Sequence, residues 1–316
     1  MLTAAYRWLK FLPTSAELRW QIAATRRLLN GKHAWFGLDR LAVPGFGTEL
    51  LRVDFAPRIS PRPSWGQGLA AHGELEKIFD ANIQEQLELL VSILGFSKDT
   101  VEWPVHEDKQ RPDLPWTANE YLPRLDALAL YGLLRRYRPR RYVEVGSGLS
   151  TRVAYQARLA GGFPMEIVSI DPEPRRDVSE LCDIVVRKRL EDVDSGEFDA
   201  DLITEDSVLF LDGSHRAFAG SDVTTFFFEL LPILPAGCLV HIHDVYLPSD
   251  YPEGFRDRFW SEQYLLAAWL LGGGRRLQIV LACAHLSSLE KTRVVTRDAI
   301  GESNLSGCSL WMRIRS

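Results

Sequence analysis

Polar residues with ligand-binding or catalytic chemistry stand where four predicted strands end. They are a glycine turn at Gly146 to Gly148, Asp171, Asp212 and the pair His243-Asp244. In open α/β sheets, ligands bind at the carboxyl ends of the strands, near the point where the strand order reverses. A sheet with a purely structural role has little reason to place acids at each of these ends. The pattern therefore predicts one ligand site at this edge.

Two glycines mark the first turn, which reads Glu144-Val-Gly-Ser-Gly-Leu-Ser-Thr151. Glycine lets the chain turn tightly and lets the backbone approach a ligand closely. The dinucleotide fingerprint requires a third glycine where Thr151 stands, which disfavours a pyrophosphate ligand. A nucleoside without phosphates needs only the first part, and the helix that starts near Ser150 would then face a carboxylate. A glycine turn with no ligand stays the alternative.

Asp171 ends the second predicted strand, 23 positions after Gly148. An acid about 20 residues beyond such a turn can accept hydrogen bonds from ribose hydroxyls. The alternative is a helix cap ahead of Pro172. The glycine turn upstream favours the ribose-binding interpretation.

Two histidines and two acids at the later strand ends supply proton-transfer and metal-ligating chemistry. A histidine whose pKa is near neutral can take a proton from a reacting hydroxyl. A divalent cation can instead lower the pKa of that hydroxyl and orient it. His215 lies in a loop after Asp212, which favours a functional role. His241 and His243 share one face of a strand, so burial in the core is the alternative for both.

Short apolar strands alternate with helices from about residue 117, which predicts a parallel sheet covered on both faces. The predicted strands are 142–145, 166–171, 183–187, 207–212, 238–244, 277–283 and 309–314. Helices are predicted near 122–133, 150–159 and 222–231. Residues 1–115 instead predict helices near 18–29 and 75–94, separated by loops rich in proline and glycine. We therefore expect a mostly helical N-terminal cap or oligomerisation region over 1–115 and an α/β domain over 116–316.

The composition excludes several function classes. The 316 residues carry a formal net charge of −5, which disfavours a nucleic-acid partner. No apolar run reaches the roughly 18 residues needed to span a bilayer. The four cysteines lie far apart and form no CxxC pair, so neither a zinc motif nor a disulfide framework is indicated. Free thiols predict a cytoplasmic protein.

Three motifs together resemble those of class I S-adenosylmethionine (SAM) dependent methyltransferases. They are Glu144-Val-Gly-Ser-Gly148, Ser169-Ile-Asp171 and Leu211-Asp-Gly-Ser-His215. The stretch from about 122 to 314 resembles, more narrowly, a bacterial group of uncharacterised methyltransferases. The resemblance implies a Rossmann-like seven-stranded α/β sheet whose last strand is antiparallel.

The resemblance also implies roles for individual residues around SAM. The glycine turn, with Glu144, Gly146, Ser147 and Gly148, would hold the methionine end of the cofactor. Asp171 would hold the ribose, and Asp212 would complete the cofactor site. Asp192 falls where such enzymes place an adenine-binding acid, although a solvated loop is an equal alternative.

The acceptor side is similar to metal-dependent O-methyltransferases that act on macrolide sugars. These have an Asp-x-x-His motif, which Asp212 and His215 match, and an acidic pair after the fifth strand. Here that pair is His243-Asp244, so one acid is replaced by histidine. The resemblance implies that Asp212 and Asp244 hold a divalent metal, which could be magnesium, manganese or zinc. The histidine disfavours magnesium, which prefers oxygen ligands, so a softer metal or no metal at all stays the alternative. The resemblance also implies His215 as the general base, with His243 as the next candidate.

The expected reaction is O-methylation of a hydroxyl on a sugar or another small metabolite. Two alternatives stay open at this point. One is an NAD-dependent oxidoreductase, which Thr151 disfavours, and the other is a SAM-binding protein without catalysis. Trp260 and Tyr264, near Tyr251, are candidates for the acceptor pocket because aromatic side chains often line such pockets.

Overall fold

A seven-stranded sheet forms the centre of the computed structural model, which describes residues 63–174, 178–193, 202–274, 276–300 and 306–316. Its strands are β1 (Arg141–Val145), β2 (Glu166–Ile170), β3 (Ile184–Val186), β4 (Ser207–Leu211), β5 (Leu239–Ile242), β6 (Leu277–Ala282) and β7 (Leu310–Ile314). They lie in the order β3-β2-β1-β4-β5-β7-β6, and β7 is antiparallel to both of its neighbours. The predicted seven-stranded α/β sheet with an antiparallel last strand is confirmed.

The register of the sheet brings the carboxyl ends of its central strands together. Val145 at the end of β1 pairs with Ile170 of β2 and with Leu211 of β4. Leu211 pairs in turn with Ile242 of β5. The residues that follow these four strands therefore emerge side by side at one edge of the sheet.

Helices cover both faces of the sheet. They are α1 (Gly73–Asp80), α2 (Ile83–Leu94), α3 (Arg124–Tyr137), α4 (Leu149–Gly161), α5 (Asp222–Thr225), α6 (Glu262–Leu271), α7 (Cys283–Ser288) and α8 (Glu290–Ile300). Alternate residues of β4 divide between two hydrophobic clusters. Leu209 and Leu211 pack with α1, α5 and α6, whereas Val208 and Phe210 pack with α2, α3 and α4. Both faces are buried, which is why the central strands read as continuous apolar runs.

Two predicted helices differ from the structure in detail. The helix expected over 75–94 is interrupted between α1 and α2, where the side chain of Asn82 donates a hydrogen bond to the Ile279 carbonyl at 2.7 Å. The helix expected over 222–231 begins as α5 and continues as a π-helical turn over Phe226–Leu230. Beyond it, Leu231–Ile233 forms a 3₁₀ turn.

The helices α1 and α2 lie N-terminal to the predicted boundary at residue 116, yet they share the core of the sheet. Leu75 and Phe79 of α1 are completely buried against it. Residues from Pro61 to Ser316 form one compact unit. The helix expected over 18–29 lies outside the described residues. Among the residues that are described, no helix is long and apolar enough to cross a membrane.

Gln86 anchors α2 to the sheet and generates a stability prediction. Its buried side chain donates to the Phe79 carbonyl at 2.8 Å and accepts from the Ala282 N–H at 3.1 Å. Because Gln86→Ala removes the partners of two backbone groups, we expect the free energy of unfolding to fall by about 2–4 kcal/mol. Urea denaturation measures this change. Gln84→Ala is the matched control, since Gln84 is exposed on the same helix and bonds only with Glu88 among the described side chains; a loss as large as that of Gln86→Ala would contradict the account.

Candidate active site

A cavity of about 960 Å³ lies at the carboxyl edge of the sheet. The ends of β1, β2, β4 and β5 contribute to its wall, through Gly148, Asp171, Asp212 and Asp244 among other residues. This volume is at the upper end of the range of about 300–1,000 Å³ that is usual for small-molecule sites. The cavity therefore has room for a nucleoside cofactor and a second small molecule.

The two glycines of the first turn have different functions. Gly146 has a φ of +81°, and a Cβ atom there would lie 2.0 Å from the carbonyl oxygen of Asp212. No side chain fits at this position, because the turn passes directly beside the end of β4. A Cβ atom at Gly148 would meet nothing within 4 Å, although Gly148 lines the cavity. Gly146 is thus required by the fold, whereas Gly148 leaves space in the cavity.

Glu144 lies behind the turn and is completely buried. Its carboxyl group accepts hydrogen bonds from the Tyr142 hydroxyl at 3.0 Å and from the Thr151 hydroxyl. The Thr151 hydroxyl oxygen in turn accepts from the Gly148 N–H at 3.0 Å. The structure therefore gives Glu144 a positioning function at the start of α4, away from the residues that line the cavity. Thr151 occupies the third-glycine position of the dinucleotide fingerprint, and its side chain closes the turn.

Asp171 holds the glycine turn and faces the cavity. Its Oδ2 accepts hydrogen bonds from the Ser147 N–H at 2.8 Å and from the Ser147 hydroxyl at 3.2 Å, and its Oδ1 accepts from the Glu173 N–H at 2.8 Å. The carboxylate lies on the cavity wall with these bonds in place. Asp171 is therefore placed as the sequence predicts and also braces Ser147.

Asp192 is not among the residues that line the cavity. It lies in the 3₁₀ turn Leu190–Asp192 and pairs with the guanidinium of Arg189 at 2.7 Å, with half of its side chain exposed. Its neighbour Glu191 lines the cavity together with Arg189. Successive side chains of a 3₁₀ turn point in different directions. Glu191 therefore faces the cavity, whereas the predicted Asp192, one position later, does not.

Asp212, His215 and Asp244 form a polar cluster on the cavity wall. The Nε2 atom of His215 lies 3.3 Å from Oδ1 of Asp212 and 3.5 Å from Oδ2 of Asp244. The Nδ1 atom of His215 contacts the buried Glu262 carboxylate at 3.2 Å. His215 and Asp244 both have positive φ values, of 59° and 55°. Such conformations cost about 1–3 kcal/mol outside glycine and are concentrated at functional sites.

The surrounding carboxylates change the protonation of His215. Burial lowers the pKa of the imidazole, but hydrogen bonds to Asp212 and Glu262 outweigh this effect and raise it to about 10. Burial has the opposite effect on the Asp212 carboxyl and raises its pKa. The two nearby histidines outweigh this effect and hold the pKa of Asp212 below its ordinary range. The sequence predicts His215 as a general base, which requires a neutral ring. The carboxylates around His215 favour its protonated ring, and a divalent cation bound in place of the proton would leave the ring neutral.

His243 lies behind this cluster and is buried. Its Nδ1 atom faces Asp212 and Asp244, each at 3.8 Å, and its Nε2 atom lies 3.7 Å from the buried Asp126. His243 is absent from the cavity wall, unlike His215. The neighbouring His241 is a core residue, stacked on Phe210 with 3.9 Å between ring centroids.

Aromatic side chains form one wall beside the polar cluster. Trp260 contacts the His215 ring with 4.3 Å between centroids, and Phe255 lies 5.0 Å from Trp260. The guanidinium of Arg258 stacks over both rings. Trp260 lines the cavity as predicted, whereas Tyr251 and Tyr264 do not.

Sequence reasoning missed Glu262 and Glu191. Glu262 is in the first turn of α6, where an acid is expected merely to favour the helix N-terminus. Its burial against His215 depends on the backbone N–H groups of Ser261 and Glu262, which donate to the His215 carbonyl at 2.8 and 3.2 Å. No spacing in the sequence reveals this contact between residues 47 positions apart.

Glu144 generates a prediction about stability and pH. Burial raises its pKa to about 7, and the charge of Asp212 on the neighbouring strand adds to this, although hydrogen bonds from Ser150, Thr151 and Tyr142 lower it. Because the carboxyl has its ordinary pKa when unfolded, stability is lost as the pH rises from about 4.5 to about 7. Between these pH values, we expect the free energy of unfolding of Glu144→Gln to fall by about 2–4 kcal/mol less than that of the parent.

Urea denaturation gives the free energies of unfolding of the parent and of Glu144→Gln at pH 5 and at pH 8. The effect is the change, between the two pH values, in the difference between the two proteins. Glu229→Gln is the control, since the Glu229 side chain is exposed. Parallel pH profiles for the parent and Glu144→Gln would rule out the assigned cost of ionisation.

Part of the chain is similar to known proteins. Residues 143–245 match a family model described as a methyltransferase domain. An uncharacterized protein of Archaeoglobus fulgidus is 33% identical over 96 residues, which are 30% of this chain and 43% of that protein. The chain thus matches less than half the length of this relative.

Solved structures of low similarity include two methyltransferases with SAH bound. The Podospora anserina methyltransferase PaMTH1 is 16% identical with a TM-score of 0.40, over 72% of this chain and 88% of that one. The O-methyltransferase of Bacillus cereus is 12% identical with a TM-score of 0.39, over 77% and 97% of the two chains. These similarities are too weak to carry a conclusion about substrate.

The matched segment runs from β1 to the residue after Asp244 and includes the glycine turn, Asp171 and Asp212. The strand order and the cavity at the carboxyl edge agree with it. Residues 143–245 therefore match a methyltransferase domain, in agreement with the resemblance of the motifs to those of SAM-dependent methyltransferases.

Proposed function

We propose that this protein transfers the methyl group of SAM to a hydroxyl of a small molecule. The observation that carries the proposal is that one cavity joins the glycine turn to the cluster of Asp212, His215 and Asp244. A methyl donor on the turn and an acceptor on the cluster would share this space. Such a shared site supplies the proximity that a transfer between two bound molecules requires.

The residues around the turn fit SAM. The space left by Gly148 admits the cofactor close to the backbone, and the N–H groups at the start of α4 suit the methionine carboxylate. The Asp171 carboxylate on the cavity wall suits the ribose hydroxyls, and Glu191, which lines the same cavity, would bind the adenine. The bound cofactor supplies an electrophilic methyl group on its sulfonium.

The polar cluster is suited to binding and deprotonating a hydroxyl. Methyl transfer is an in-line displacement, so a lone pair of the acceptor oxygen must point at the methyl carbon. Asp212 and Asp244 present carboxylate oxygens on the cavity wall within 3.5 Å of the His215 ring. Both carboxylates orient the hydroxyl, and Asp244 on the cavity wall receives its proton.

A divalent cation belongs to the same proposal. One oxygen of Asp212, one oxygen of Asp244 and one ring nitrogen of His215 lie within 4.8 Å of one another. Two carboxylate oxygens and one imidazole nitrogen suit manganese or zinc better than magnesium, which prefers oxygen ligands alone. When bound, the cation supplies a Lewis acid that lowers the pKa of the acceptor hydroxyl. It would replace the proton on His215 and relieve the repulsion between Asp212 and Asp244.

The aromatic wall favours a sugar or another ring-shaped metabolite as the acceptor. Phe255 and Trp260 present apolar rings beside the polar cluster, and the positively charged guanidinium of Arg258 lies over both rings. Pockets of this kind combine apolar surface with a few polar groups that fix orientation. A cytoplasmic location and a homo-oligomer stay predictions from the sequence alone.

Gly148→Ala tests the cofactor site. Its Cβ atom would enter the cavity without meeting protein atoms, so we expect the fold to be kept and the affinity for SAM to fall at least tenfold. Isothermal titration calorimetry measures the affinity, and Gly73→Ala is the control, because a Cβ atom there also meets open space but at the start of α1. Parental affinity in Gly148→Ala would exclude SAM from this turn.

His215→Ala tests the acceptor site. Loss of the imidazole removes the group that links Asp212, Asp244 and Glu262, so we expect kcat to fall by about 10²–10⁴-fold with nearly unchanged SAM affinity. Transfer of the labelled methyl of SAM to a set of monosaccharides and phenols provides the assay. Chelation followed by addition of magnesium, manganese or zinc to the parent tests the cation. Turnover at the parental rate in His215→Ala would place the reaction elsewhere. Full activity after chelation would contradict only the cation and leave the rest of the proposal in place.

A further inference from the structure

A second cluster of potential metal ligands lies behind the cavity wall. It consists of Asp126 from α3, His243 from the end of β5 and Cys308 from the segment before β7, all of them buried. Oδ1 of Asp244 lies beside it, 3.3 Å from the Cys308 sulfur. We propose that these four residues bind a zinc ion that ties α3, β5 and β7 together beneath the acceptor site.

The distances within the cluster are those of a tetrahedral zinc site. With bonds of about 2.3 Å to sulfur and about 2.0–2.1 Å to nitrogen and oxygen, ligand atoms around zinc lie about 3.3–3.6 Å apart. The Cys308 sulfur is 3.6 Å from Nε2 of His243 and 3.4 Å from Oδ2 of Asp126. Nε2 of His243 is 3.7 Å from the same Asp126 oxygen. The ligand atoms of Asp126, His243 and Cys308 are thus spaced within a few tenths of an ångström of those around a tetrahedral zinc ion.

The charge of the cluster favours a cation. Asp126 has no exposed surface, and its two oxygens accept backbone hydrogen bonds from Cys308 at 2.8 Å and from Ser309 at 3.0 Å. These bonds favour the ionised carboxylate, which in a buried position needs a positive partner. Asp244 adds a second carboxylate. An imidazolium at His243 would supply one positive charge against these two carboxylates, whereas a divalent cation would supply two.

The chemistry of the donor atoms selects the metal. A thiolate, an imidazole nitrogen and carboxylate oxygens form a mixed set that suits zinc, whereas magnesium and calcium prefer oxygen alone. Binding releases the thiol proton of Cys308 and the imidazolium proton of His243 to solvent. Nδ1 of His243 then faces Asp212, in the arrangement of metal, histidine and carboxylate that orients histidine ligands.

The site would be structural and distinct from the acceptor cluster. With Asp244 as the fourth ligand beside Asp126, His243 and Cys308, protein would fill all four positions around the metal, as in structural zinc sites. Asp244 connects the two clusters, since its Oδ1 faces Cys308 while its Oδ2 faces His215. The Val245 N–H also donates to the Cys308 carbonyl at 2.8 Å, so the segments that carry these ligands are already joined. The inference does not depend on methyl transfer.

Metal analysis of the full chain and cobalt substitution test the inference. We expect about one equivalent of zinc after purification and dialysis, and a cobalt form with the visible bands of tetrahedral Co²⁺ and a thiolate-to-cobalt charge-transfer band. Cys308→Ser should abolish the charge-transfer band and lower the thermal midpoint. Cys238→Ser is the control, because this buried thiol hydrogen-bonds with backbone groups of Leu209 and Leu239, belongs to neither group of potential metal ligands and should keep the band.

Two further variants separate this site from the acceptor site. Asp126→Asn, which keeps the shape of the side chain, should weaken zinc binding at least tenfold, whereas Asp212→Asn should keep the charge-transfer band even where it stops methyl transfer. A parent protein that binds neither zinc nor cobalt would overturn the inference. So would a charge-transfer band that survives Cys308→Ser, and neither result would affect the binding of SAM.

Discussion

The repulsion between carboxylates gathered at one edge of the sheet is the constraint on which the site depends. Asp212, Asp244 and Glu262 surround one imidazole, and the two ring nitrogens of His215 lie within 3.5 Å of all three. Buried negative charges are stable only with a positive partner in contact. The cluster therefore has a high affinity for positive charge, whether a proton on His215 or a divalent cation. A methyl group carried on a sulfonium also brings positive charge to this place.

The sheet and its loops maintain this arrangement against its own electrostatic cost. Parallel pairing of β1, β4 and β5 in fixed register brings Asp212 and Asp244 to adjacent positions. The chain then departs from both strands through left-handed conformations at His215 and Asp244. Helix α6 holds the backbone of His215 by two hydrogen bonds from its N-terminus. The hydrophobic clusters on both faces supply the stability that such local strain requires.

The sequence was sufficient for the parts of the fold that follow from local pattern. Apolar strands separated by helices predicted the α/β sheet, and the glycine turn with Asp171 and Asp212 predicted its ligand-binding edge. The contacts that depend on three-dimensional packing could not be predicted. Asp126 in the first turn of α3 reaches Cys308 across 182 positions, and Glu262 in the first turn of α6 reaches His215 across 47 positions. Burial of Glu144 behind the turn was equally hidden, since an acid at a strand end is expected to face the ligand.

A crystal structure with S-adenosylhomocysteine tests the central claim, that a methyl donor and the acceptor cluster share one cavity. The account predicts the amino-acid carboxylate at the first turn of α4 and the ribose hydroxyls on Asp171. It also predicts that the sulfur is directed toward the cluster of Asp212, His215 and Asp244. A ligand bound outside the cavity, or one bound with its sulfur directed away from this cluster, would contradict it.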